Sequence, residues 1–234
     1  MRPEELALAP LWYVTFLLST TCHEAAHAWA AQLGGDLTAF HGGQVTLNPV
    51  PHIKREPFGL VLIPILSFFM GGAMLGWASA PYDPLWSRRY PKRAAWMSLA
   101  GPAANFTLML IAAILIRIGI WAQVFTLPRS LGFESVVAAA ANVSPAWEGA
   151  ATFLSILFAL NLLLGTFNLL PVPPLDGYSV MGLFTSEQLA VKLQDLRQQA
   201  GMYAMIGLLI GWQAFDYIFP PIFITALRVL YRLG

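Results

Sequence analysis

Between residues 58 and 82, 94 and 116, and 149 and 175 the chain carries no Asp, Glu, Lys or Arg, and between 6 and 35 it carries one, Glu24. A membrane-spanning helix needs about 20 mostly apolar residues, so each run is long enough to cross a bilayer. Composition agrees: 57% of the 234 residues are hydrophobic and 11% charged, where soluble domains carry about 25% charged residues. Residues 198–215 form a shorter apolar run. Residues 217–227 are too short to span alone and contain Pro220 and Pro221, which leaves an interfacial helix or a tilted crossing open.

Three polar stretches separate these runs. In residues 36–57, β-branched Thr38, Val45 and Thr46 flank Gly42-Gly43, which predicts a short hairpin. Residues 83–93 hold Arg88, Arg89, Lys92 and Arg93, and the positive-inside rule assigns such a cluster to the cytoplasm. Residues 117–148 hold only Arg117 and Arg129 as basic groups and belong on the opposite side. The net charge of +1 excludes a nucleic-acid partner, which requires clustered cations against phosphates. The single cysteine, Cys22, cannot form an internal disulfide. The N-terminus lacks a basic n-region, so the first apolar run is read as retained. Without repeats or linkers, residues 1–234 are read as one domain. The expected fold is an all-α polytopic membrane protein of about four to six transmembrane helices, with a short re-entrant or β-hairpin element after the first helix.

The first apolar run contains His23-Glu24-Ala25-Ala26-His27. On a helix, residues four apart share a face, so both imidazoles reach one ion while Glu24 projects beside it. Ionisable residues at membrane depth are costly and mark function, and three within five positions are not packing residues. A catalytic zinc takes three protein ligands and keeps one position open. The third must come from elsewhere. Cys22 points about 100° away from His23 on a helix. Asp176 is the carboxylate that ends a charge-free run, within Asn168-Leu-Leu-Pro-Val-Pro-Pro-Leu-Asp-Gly177. Pro171, Pro173 and Pro174 break a helix there, and broken backbone at membrane depth lines a site. A helix-ending turn at Asp176-Gly177 is the plainer reading of the same residues, and His41 and His52 are the other histidines.

These residues carry a resemblance. HEAAH at 23–27, GPAAN at 101–105 and NLLPVPPLDG at 168–177 resemble, in order, three signatures of the site-2 protease family of intramembrane zinc metalloproteases. LNPVPHI at 47–53 and GWASAP at 76–81 resemble its compact prokaryotic branch, which lacks a PDZ domain. The chain departs from that branch at Lys54, where an Asp is common, and at Ser79 and Ala80 of a GWAKP-like element. The resemblance implies one Zn2+ held by His23, His27 and Asp176, Glu24 as the proton carrier, and transmembrane proteins in the lipid bilayer as substrates. It also implies substrate contacts for Asn168 and, less directly, Asn105. His52 is a further candidate for substrate contact. A prokaryotic inner-membrane location, with the site toward the cytoplasm, follows from resemblance and basic cluster together.

If Asp176 and the two histidines bind one ion, the helices that bear them end on the same face. Residues 58–82 must then return to the side they left despite being long enough to span, with a bend near Gly71-Gly72. The competing class is a divalent-metal transporter, since histidines and carboxylates also build ion pathways. It has no use for a glutamate between the histidines. A non-catalytic membrane relative is disfavoured by the intact ligand set.

Overall fold

The computed structural model describes residues 6–199 and 201–232, and it is almost entirely helical. Helix α1, Ala9–Gly34, runs 26 residues, with Pro10 in its first turn and Gly35 as a left-handed cap at φ 95°. It is followed by the single turn α2, Thr38–His41, and by α3, Pro49–Arg55. A π-helical turn, Phe58–Leu62, leads into α4, Ile63–Gly71. Then come α5, Pro84–Arg89, and the long α6, Pro91–Trp121. Two short strands, β1 (Phe125–Thr126) and β2 (Ala138–Ala139), pair antiparallel. Helix α7 spans Ala146–Asn168, α8 Asp176–Val180, α9 Glu187–Gln199 and α10 Gly201–Arg232.

Among the described residues, three helices are long and apolar enough to cross a membrane: α6, α7 and, within α10, Tyr203–Tyr231. Helix α1 is of similar length but carries Thr15, Ser19, Thr20, Thr21, His23, Glu24 and His27, all buried. Its polar face is turned inward. The chain is an integral-membrane fold by these features. Helix α6 is central, packing against α1 on one side and α7 on the other. Between apolar helices in lipid the hydrophobic effect contributes little, and close approach of small residues takes over. Ala28 and Ala31 of α1, Ala95 and Ala112 of α6 and Ala159 of α7 are accordingly completely buried.

The hairpin expected around Gly42-Gly43 does not form. Asp36 Oδ1 accepts from Thr38 N at 2.9 Å and Thr38 Oγ1 at 2.6 Å, which starts the helical turn α2 instead. The β-branched residues spend their hydrogen bonds locally. Asn48 then caps α3, its side chain accepting from Val50 N, with Pro49 at the first position. The two-stranded sheet lies instead in the third polar stretch.

The re-entrant element does form. Helix α4 stops at Gly72, φ 75°, and an extended segment retraces its path. Trp77 N donates to Gly59 O at 3.2 Å, Arg55 Nε to Ser79 O at 3.0 Å and Ser79 Oγ to Glu56 Oε1 at 2.5 Å. The two arms touch so closely that a Cβ on Gly59 would lie 2.2 Å from Trp77 O, and one on Gly76 2.1 Å from Gly59 O. Residues 55–59 and 76–79 therefore sit side by side.

The C-terminal runs that sequence separates are one helix, α10, continuing through Pro220 and Pro221. Proline fixes φ near the helical value and forfeits only hydrogen bonds that neighbouring packing offsets. Phe215, Phe219 and Phe223 stack along this helix at 5.2 and 5.8 Å, with Phe133 against the last two.

Candidate metal centre

Helical spacing places His23 and His27 on one face of α1, their ring centroids 4.5 Å apart. The two Nε2 atoms are 2.9 Å from each other, and each is 3.2 Å from Asp176 Oδ2. Among the described residues this is the one group of three or more such side chains arranged to hold a metal. Asp176 arrives because α7 ends at Asn168 and the proline-rich turn delivers the chain into α8. Gly177 permits that turn: a Cβ there would lie 2.2 Å from Leu169 O.

The residues present suit a zinc ion. His23 Nδ1–H donates to Asn105 Oδ1 at 2.6 Å and His27 Nδ1–H to the Met97 carbonyl at 2.7 Å. Each bond fixes the tautomer that leaves the Nε2 lone pair free for a metal. Behind Asn105 the network continues. Its Nδ2 donates to Asn161 Oδ1 at 2.9 Å, and Asn161 Nδ2 donates to Ser19 Oγ at 2.8 Å. Ser19, Asn105 and Asn161 are wholly buried. On α6, Gly101 faces both imidazoles, and a Cβ there would lie 2.4 Å from His27 Nε2 and 2.5 Å from His23 Nε2. Glu24 is 6% exposed and its Oε2 has no hydrogen-bond partner. A buried carboxylate oxygen without a donor marks a place where a ligand or solvent belongs.

The three candidate ligands and Glu24 open onto a cleft of about 770 Å3. Of the candidate substrate contacts, Asn168 lines it, its Nδ2 donating to Leu164 O at 3.0 Å. Asn105 does not: both ends of its amide are held by protein, and its contact is with His23. His52 is buried on α3, its Nε2 donating to Thr46 O at 3.1 Å, and is not among the cleft-lining residues. The sequence reading overlooked Asn161, although an amide within a charge-free apolar run signals a polar partner. It also overlooked Gln194 and Arg197 of α9, both on the cleft wall; on a polar helix nothing distinguishes them.

Two histidines one turn apart, a distant aspartate and a glutamate between the histidines, inside an apolar helical bundle, define a membrane-embedded zinc metallopeptidase. Residues 12–212 match the profile of peptidase family M50, and the chain belongs to that family. The provisionally named zinc metalloprotease YwhC of Bacillus subtilis (strain 168) is 35% identical over 177 residues, 75% of this chain and 69% of that one. The similarly named Rip2 of Mycolicibacterium smegmatis is 31% identical over 71% of this chain and 54% of its own length. Rip2 of Mycobacterium tuberculosis (strain H37Rv) is 30% identical over 83% and 63%. No solved structure gives a significant match.

Proposed function

We propose that the chain hydrolyses peptide bonds within or near transmembrane segments of membrane-protein substrates, in the manner of regulated intramembrane proteolysis. The observation that carries this reading is the unpartnered Glu24 carboxylate beside His23, His27 and Asp176 in a cleft walled by apolar helices. His23, His27 and Asp176 would hold one zinc ion. When bound, that ion supplies Lewis-acid polarisation of a carbonyl and acidifies water. Glu24 takes a proton from the attacking water and delivers it to the leaving amine. Asn105 and the Met97 carbonyl orient the two imidazoles. Asn168, on the cleft wall, contacts the unwound substrate backbone through its amide. A substrate helix shields its peptide bonds with its own hydrogen bonds, so local unwinding precedes attack.

The chain acts as one domain in the inner membrane, its site toward the cytoplasm. Supporting this, Arg93 Nη1 and Trp86 Nε1 both donate to Gly34 O, at 3.1 and 3.0 Å. The end of α1 and the basic segment therefore share one face. Glu24→Gln should retain about one zinc per chain while abolishing cleavage of co-expressed single-span proteins, read by mass spectrometry of fragments. Alanine at His23, His27 or Asp176 should release the metal. Zinc movement across sealed vesicles without any cleavage would replace the protease reading with transport.

A further inference from the structure

Helix α9 is polar along most of its surface and buries only two side chains, Ala190 and Gln194. Ala190 packs near Gly182, where an added Cβ would lie 3.5 Å from the Ala190 Cβ. Gln194 is different. It is 4% exposed and lies on the wall of the cleft that holds the candidate metal centre; none of the side-chain hydrogen bonds among the described residues involves its amide, and its atoms are not among the fully enclosed ones that lack a partner. An amide on a cleft wall that is not bound to the protein stays available to whatever enters the cleft.

The helix that carries it is fixed rather than loosely laid over the cleft. One turn on, Arg197 Nη1 donates to Ser179 Oγ at 2.6 Å and Nη2 to Pro174 O at 3.1 Å. These contacts bracket Asp176 in sequence. On the outer side, Arg88 Nη2 meets Asp195 Oδ2 at 3.2 Å. Residues 194 and 197 lie on one helix face, so the bonds that steady the Asp176 turn also set where Gln194 stands.

We infer that Gln194 is a substrate-binding residue whose side-chain amide pairs with main-chain N–H and C=O groups of the unwound peptide in the cleft. The chemistry matches the need. A carboxamide offers donor and acceptor together, and an unwound segment presents both kinds of unpaired group where little water competes. The contact reads backbone, not side chains, so it serves any substrate sequence able to unwind. This inference rests on the metal-centre reading above, and the test separates the two.

The zinc-loaded full chain in detergent is titrated with two probes: acetohydroxamate, a chelating group with no peptide, and a leucine-based dipeptide hydroxamate, which adds backbone amides. Gln194→Met keeps the volume and removes the polar atoms. Its dissociation constant for the dipeptide probe should rise about tenfold, with acetohydroxamate affinity and zinc content unchanged. Gln194→Glu keeps an acceptor and loses the donor, and should fall between. Equal affinity of wild type and Gln194→Met for the dipeptide probe overturns the inference. So does an equal loss for both probes, which reports damage to the whole site. A wild-type chain that binds neither zinc nor acetohydroxamate refutes the metal centre itself, and this inference with it.

Discussion

At the scale of single residues, the side chains of the candidate metal centre are legible in sequence because their type and spacing are unusual in apolar surroundings. His23, Glu24 and His27 stand out within a run that otherwise carries no charge, and Asp176 follows three prolines in four positions. What supports them is less legible. Asn105 is read from sequence as a substrate contact, yet its oxygen is bonded to His23 and its nitrogen to Asn161. No spacing rule links positions 19, 105 and 161; only the packing of α1, α6 and α7 does. Asn105→Ala removes the acceptor that orients His23 and leaves the Asn161 oxygen without its donor. Zinc affinity should fall about 10–100-fold and stability by about 1–3 kcal/mol, checked by chelator competition and thermal unfolding in detergent. Undiminished zinc affinity would separate Asn105 from the metal.

Elements show where local sequence misleads. Residues 58–82 satisfy any length criterion for a span, and only the requirement that His27 and Asp176 meet predicts their return. The structure supplies the means in Gly72, whose φ of 75° ends α4, and in the crossing of Gly59 with Gly76. The misread hairpin at Gly42-Gly43 fails for the opposite reason, because a single carboxylate, Asp36, captures Thr38 and commits the chain to a helical turn. Asp36 Oδ2 also accepts from Asp83 N at 2.8 Å, joining the first connector to the end of the returning segment. Gly76→Val places side-chain atoms where Gly59 O now lies, forcing the arms apart beside the site. Displacement of about 1 Å near reacting groups costs on the order of 10²-fold in rate. Cleavage should fall by about that factor with zinc retained, and full activity in this variant would show that the crossing does not shape the site.

For the whole molecule, the placement of α6 between α1 and α7 governs everything else, since it brings Gly101, Met97 and Asn105 against the histidines and carries the basic segment at its start. Cysteine labelling in intact cells should find residues 50–57 and 83–93 on the cytoplasmic side and 125–145 on the other. Labelling of 83–93 from outside would invert the orientation. The far separation of the candidate metal-binding groups bears on biosynthesis. Asp176 lies 153 residues beyond His23, and at about 5–20 residues per second a ribosome needs roughly 8–30 s to bridge that interval. On the proposed ligand set, α1 would hold two imidazoles and lack its third ligand throughout that interval. A site assembled in this order would stay incomplete while its own chain is still emerging, and would close only once Asp176 has joined the first helix.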